Sequence, residues 1–279
     1  MRKIIILLIL FIPVSVYMGF DFFYGYRNAT GVRVFRIGTE CELPPNNWEE
    51  NIPTDSNVPI ENEDDLYADG YDIQIAKLVA ESMGAELEVF KLSWHDLVPA
   101  LNDHEIDAIF SGMLDTSDRK KTMSFSDVYE VPSGEYGIMV HKNGKYADAK
   151  TFRDFIGASF VAQKNSNFDR AISQIKGAIH MPPVMLVKEV FDKLRNREAD
   201  ATVLDLESAK TYERVYPGFI MIKLPKGEGF KFDFTGICAG VRKDDTRLLN
   251  KINGALRGIS KRDRQKIMDR SIAREWENL

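Results

Sequence analysis

The chain has 279 residues, 44% of them hydrophobic and 28% charged, a length and balance that suit two lobes of ordinary domain size, each with its own core. A net charge of −5 at pH 7 supplies no basic footprint, which excludes a nucleic-acid partner. Cys41 and Cys238 lack C-x-x-C spacing, and His95, His104, His141 and His180 are scattered, so neither a disulfide framework nor a metal or cofactor site is expected.

Met1-Arg2-Lys3 followed by the apolar run Ile4 to Phe20 has the positive start and hydrophobic stretch of a secretory signal. At about 17 residues the run is also just long enough to span a bilayer if it is retained. Tyr17-Met18-Gly19-Phe20 is too bulky for a small-x-small cleavage site, and no Cys follows to carry a lipid. Residues 1–31 therefore read as a signal peptide or a signal anchor, plus a linker. The protein is expected to be periplasmic or otherwise extracytoplasmic, with membrane contact through this segment alone.

Val34 to Thr39 alternates like a strand, and Pro44-Pro45 prevents its continuation. Asn47 to Gly70 is acidic and proline-containing, and reads as a solvated loop; its acids lack the alternation of a calcium loop. Asp72 to Gly84 is an amphipathic helix with Asp72 as the expected N-cap and Gly84 past its end. Glu86 to Phe90 returns as a strand, completing a βαβ unit.

The stretch from Ser93 to Tyr129 carries the polar chemistry. Trp94, Leu97, Val98 and Leu101 recur at helical spacing, with Pro99 the irregularity, and Asp107 to Ser111 is a short strand. Gly112 to Arg119 then places backbone donors, hydroxyls and a guanidinium at a strand's carboxyl end, opening a second helix. In an open α/β sheet ligands bind at that end, and backbone N–H groups with an Arg fork suit a carboxylate.

Trp94…Leu97-Val98-Pro99-Ala100-Leu101, Ile106-Asp107-Ala108-Ile109-Phe110-Ser111-Gly112-Met113, Thr116…Arg119 and Phe125-Ser126…Tyr129 stand in one order and register. This pattern resembles the type II periplasmic solute-binding proteins specific for amino acids, and the resemblance runs from about Val34 to the C-terminus. It implies a two-lobed α/β fold with two hinge strands and the ligand in the interlobe cleft. Residues 32–130 and 235–279 would form lobe 1, and 135–229 lobe 2.

On that frame the chain leaves lobe 1 through Glu130 to Gly134 and returns near Gly229 to Asp233. Tyr136–Val140 and Ala199–Asp205 read as strands of lobe 2, with apolar helix stripes at Phe168, Ile172 and Ile175 and at Val187, Val190, Phe191 and Leu194. Thr235–Val241 and a helix through Leu248, Ile252 and Leu256 return to lobe 1. The resemblance puts both cysteines on strands of one lobe, which leaves a single bridge or two separate buried thiols.

The resemblance implies that Arg119 holds a ligand carboxylate, helped by Thr116 and the loop Ser111, Gly112 and Met113. Ser166 would add a hydroxyl from the other lobe, and Asn165 replaces a glycine there, a change Asn tolerates in left-handed backbone. Asp205 would pair with the ligand ammonium, and Trp94 would stack on its side chain. Each has a plainer reading: Ser166 and Asp205 as helix caps, Trp94 as core, Arg119 as a surface ion pair. Leu43, Asn46 and Leu114 depart from the family's aromatics and hydroxyl. Glu40 is placed to face a basic side chain, and Asp72 to contribute through water.

The implied function is a receptor, with no catalytic residues, that delivers a free polar or basic L-amino acid to an ABC transporter permease, acting as a monomer. Two alternatives are a membrane-anchored amino-acid sensor and a dehydratase-like enzyme of aromatic biosynthesis on the same fold. For the enzyme, Glu207 is the candidate general acid.

Overall fold

The computed structural model describes residues 31–132, 135–225 and 229–278. The expected signal segment, residues 1–30, lies outside the described residues, as do Ser133 and Gly134 of the first crossover. Among the described residues no helix is long and apolar enough to cross a membrane.

The first strand, β1 (Val34–Thr39), is buried along nearly its whole length, as a central strand covered on both faces must be. The segment expected to be a solvated loop instead folds: β2 (Glu42–Leu43), β3 (Asn47–Glu50), β4 (Val58–Pro59) and β5 (Tyr67–Asp69) form an antiparallel sheet in the order β2-β3-β5-β4. Trp48, Val58, Ile60 and Ala68 bury themselves, while the polar run Glu61 to Asp65 stays exposed in the connecting turn. Buried Asp69 is held by a two-pronged bond from Arg274 at 2.8 and 2.9 Å, which ties this sheet to the C-terminal helix.

Helix α1 (Tyr71–Ser82) begins after Gly70, not at Asp72. Gly70 has φ 121°, and a Cβ there would lie 2.4 Å from the Asn46 carbonyl, so only glycine fits. β6 (Glu86–Lys91) follows, and α2 (Leu97–Asn102) starts three residues after Trp94, with Pro99 in the first turn where its missing N–H costs nothing. After β7 (Ala108–Ile109), the expected second helix is a single 3₁₀ turn, Arg119–Lys121, leading to β8 (Met123–Phe125).

The second half continues with β9 (Tyr136–His141), β10 (Ser159–Phe160), α3 (Asn167–Ile172), β11 (Ile179–His180), α4 (Val187–Arg195), β12 (Ala201–Asp205), α5 (Leu206–Val215) and β13 (Phe219–Lys223). The chain closes with β14 (Gly240–Arg242), α6 (Thr246–Gly258) and α7 (Lys261–Asn278).

Two five-stranded sheets result, ordered β6-β1-β7-β14-β8 and β11-β10-β12-β9-β13. Each pairs a parallel core with antiparallel strands at one side. Two separate sheets, each with its own apolar core, make the molecule two-lobed. The chain passes between them twice, and the two passages lie side by side, because Glu130 bridges Ile237. Cys41 and Cys238 are separate buried thiols, so the single bridge is not formed.

Candidate functional site

A cavity of about 380 Å³ lies between the lobes. Seven of the expected residues line it: Glu40, Trp94, Ser111, Gly112, Arg119, Ser166 and Asp205.

Arg119 is fixed by its neighbours without being neutralised. Its Nη1 donates to the Leu114 carbonyl at 3.0 Å, its Nη2 reaches across to the Asn165 carbonyl at 3.4 Å, and its Cζ lies 4.9 Å above the Trp94 ring. Among the described residues no carboxylate pairs with the guanidinium. Burial, and then the nearby Arg170, lower its pKa to about 10, so it stays charged at neutral pH. A charged fork held by carbonyls and a ring face retains donors for an incoming anion.

Opposite stand groups of lobe 2. Ser166 caps α3, its Oγ accepting from the Asp169 N–H at 3.1 Å, and Asn165 before it has φ 63°, the left-handed backbone its replacement of glycine requires. Asp205 caps α5, accepting from the Ser208 N–H at 2.9 Å and the Ser208 hydroxyl at 2.7 Å. Burial raises its pKa against the pull of these bonds, and a cation beside it would relieve that cost.

Glu40 is treated differently from Arg119. Its carboxyl accepts from the Gln163 amide of the other lobe and from the Trp94 N–H, and burial above all raises its pKa to about 8. Two residues on, Glu42 accepts from the Val187 N–H, and its carbonyl accepts from the Tyr212 hydroxyl at 3.0 Å. One three-residue segment thus bonds three times to lobe 2. With Arg170 and Asp118 at 3.4 Å, these contacts hold the lobes closed.

The three remaining expected residues stand outside the cavity. Asp72 is fully buried, and its carboxylate is spent on the Tyr129 hydroxyl at 2.7 Å, the Asn47 amide at 2.8 Å and the Gly112 N–H at 2.7 Å. That last bond also removes the Gly112 N–H from the donors expected for a ligand. Thr116 accepts the Arg119 N–H at 3.3 Å, shaping the turn that carries the guanidinium. Met113 is core, its carbonyl accepting from Cys238. The Ser111 hydroxyl, though on the wall, accepts the Glu40 N–H at 3.0 Å. Trp48 bonds Glu50 instead of lining the cavity, whereas Leu43 and Asn46 do line it. Glu207, the candidate general acid, sits at the rim and pairs with Lys210 at 3.0 Å.

Sequence reasoning missed Gln163, Tyr136, Tyr212 and Asn167. Asn167 is the most informative, because its Nδ2 is buried on the wall with no partner among the described residues. Its position one residue past a helix-capping serine was the available signal. Tyr136 faces Asp205 across the β9–β12 ladder, a pairing no local pattern reveals.

The chain is similar to proteins named for the amino acids they bind. An ABC transporter arginine-binding protein of Escherichia coli is 27% identical over 190 residues, covering 68% of this chain and 75% of that protein. A probable histidine-binding protein of Neisseria gonorrhoeae is 25% identical over 233 residues, covering 81% and 78%. Among solved structures, a mutant of ArgBP from T. maritima superposes with a TM-score of 0.70 at 27% identity, covering 86% of this chain and 95% of that one. An ancestral arginine-binding protein bound to glutamine gives a TM-score of 0.70 at 27% identity, covering 85% and 96%. The model of one family matches residues 51–273, and the chain belongs to that family, the bacterial extracellular solute-binding proteins, family 3.

Proposed function

We propose that this protein is an extracytoplasmic receptor that captures a polar or basic amino acid and delivers it to an ABC importer. The observation that carries this reading is Arg119, a half-buried guanidinium without a carboxylate partner among the described residues, lining the same interlobe cleft as the helix-capping acid Asp205. A zwitterion supplies the two charges this arrangement lacks. Its carboxylate meets Arg119, the Asn167 amide and Ser166; its ammonium meets Asp205; its side chain runs along Trp94 toward Glu40. Because the ligand touches both lobes, it favours the closed form over the open one, which is the only way binding can drive closure.

Relatives named for arginine and histidine, and a neighbour bound to glutamine, support an amino-acid ligand. The partner in this reading is a permease that docks on the lobe faces around the cleft. The receptor works as a monomer, exported by its N-terminal segment and either cleaved or kept as an anchor.

The test is a thermal-shift screen of the purified protein against the twenty amino acids, ornithine and citrulline. A ligand at about a thousandfold excess over its Kd stabilises the native state by roughly 4 kcal/mol. Shifts with a polar or basic subset are expected. A flat response to the whole panel would remove the reading.

A further inference from the structure

Tyr136 brings a hydroxyl to the cavity wall that the fold itself does not use. β9 and β12 pair so that Tyr136 lies directly opposite Asp205, a register held by the bond from the Leu206 N–H to the Glu135 carbonyl at 2.9 Å. Directly opposed residues of an antiparallel pair send their side chains to one face, and both of these line the cavity. Only 9% of Tyr136 is exposed, yet its hydroxyl makes no hydrogen bond to any described residue. A buried hydroxyl without a partner costs free energy that a ligand group can recover.

The ring that carries this hydroxyl is fixed by its neighbours. Its centroid lies 4.2 Å from that of Phe232 on the second crossover, 6.3 Å from that of Phe234, and 6.3 Å from that of Phe168, the residue after Asn167 in α3. Burial, and then the charge of Asp205, hold the phenol above its ordinary range, so at neutral pH it is a neutral hydroxyl with an acceptor oxygen. An ammonium beside Asp205 needs such an acceptor. The two carboxylate oxygens offer about four lone pairs, and Ser208 donates to them through both its N–H and its hydroxyl. A primary α-ammonium has three N–H groups, and Asp205 is therefore left with too few lone pairs to satisfy them all.

We propose that Tyr136 is a specificity-determining residue of this site: its hydroxyl oxygen accepts the ammonium N–H that Asp205 leaves unmet, so that the protein selects primary amino acids over their Nα-methyl forms. This rests on the amino-acid-receptor reading of the same cavity and adds a second acceptor at its ammonium end. A methyl group on the α-nitrogen removes one donor and sets an apolar group against the phenol oxygen, which returns to being buried without a partner. Because the ring is packed in place before a ligand arrives, the contact costs no further ordering on binding.

The experiment is calorimetry on the purified full chain and on Tyr136→Phe with L-arginine, L-glutamine and L-histidine, each beside its Nα-methyl form. Phe keeps the contacts with Phe168, Phe232 and Phe234 and loses only the hydroxyl, so the melting temperature without ligand should be unchanged. Any of the three amino acids that binds the natural protein should bind the variant about tenfold more weakly. In the natural protein the Nα-methyl form should be about tenfold weaker than its parent, and in Tyr136→Phe that difference should largely vanish, because the donor removed by methylation no longer has an acceptor. Equal affinity of the parents for both proteins would overturn the proposal and keep the receptor. A methylation penalty of the same size in both proteins would also overturn it, as would a lower melting temperature of the unliganded variant with affinity unchanged, which would make the hydroxyl structural. Failure of all three parents to bind the natural protein would remove the receptor reading and this inference together.

Discussion

Arg119 and Glu40 face the same cavity from the same lobe, yet the protein deals with their charges in opposite ways. Arg119 is anchored by two carbonyls and a ring face, partners that position a cation without cancelling it. Glu40 is surrounded by donors and by apolar burial, so its charge is suppressed and its hydrogen bonds join the lobes. The difference separates two tasks. One end keeps an open valence for the part every amino acid shares, and the other spends its polar groups on closing the cleft. Selection by side chain must then work through shape and neutral hydrogen bonds first, and through the charge of Glu40 only when a cationic ligand pulls its proton away.

The largest effect should come from breaking the open-valence end. Arg119→Ala leaves a ligand carboxylate buried without its partner, a loss of about 3 kcal/mol or more, or over a hundredfold in affinity. The melting temperature without ligand should change little, because the side chain gives up only carbonyl contacts and one ring contact. Calorimetry and thermal unfolding on the same preparation check both halves. Binding retained within tenfold, about 1.4 kcal/mol, would sink Arg119 as the anchor.

Asp205 tests whether a cap and a ligand group can be the same side chain. Asn is as good an N-cap as Asp, so Asp205→Asn should preserve the bond from Ser208 and keep fold stability within about 0.5 kcal/mol. It removes the negative charge, however, and affinity for an amino acid should fall by about 2 kcal/mol. Equal affinity in the variant would leave Asp205 a cap and nothing more.

A smaller step sharpens the same end. The buried Nδ2 of Asn167 is a donor without a partner among the described residues, and a ligand carboxylate can satisfy it. Asn167→Ala should cost about 1 kcal/mol of affinity and should not destabilise the protein without ligand, since no hydrogen bond of that nitrogen is lost. A drop in unliganded stability with unchanged affinity would show the amide to be structural.

Much of this was legible before the fold was known, and the reasons are local. Arg119, Trp94 and the Ser111-Gly112 turn sit in one continuous stretch where apolar period, glycine and guanidinium follow each other directly. Ser166 and Asp205 were readable from local pattern only as helix caps, and as cleft residues only through the family resemblance. What failed depended on distant partners. Asp72 is an acid near a helix start, but only the fold brings Asn47, Tyr129 and the Gly112 N–H to it and turns it away from the ligand. The segment from Asn47 to Gly70 looked like a loop because its strands have two to four residues, too short to show alternation, and its acids gather in the turns. Gln163 and Tyr136 needed, respectively, a closed cleft and a strand register to acquire meaning.

The smallest expected effect lies at the closed end, and its sign is set by burial. Folding raises the Glu40 pKa from an ordinary 4.5 to about 8, so the native protein holds this proton more tightly than the unfolded chain. The stability this provides is fully present below about pH 4.5 and is lost as pH rises through about 8. Glu42, raised in the same direction by burial and close enough to repel, adds to the slope. Glu40→Gln keeps the side chain's size and an oxygen for the Gln163 amide to donate to, but carries no proton to lose. At pH 5 the variant and the natural protein should melt alike; at pH 9 the variant should be more stable by about 1 kcal/mol, the scale left once the lobes relax around a charge. The same change should selectively weaken lysine or arginine, because only the natural side chain can ionise to meet them. Parallel melting curves from pH 5 to 9 would mean that Glu40 is solvated through an open cleft, and the contrast with Arg119 would then belong to the closed form alone.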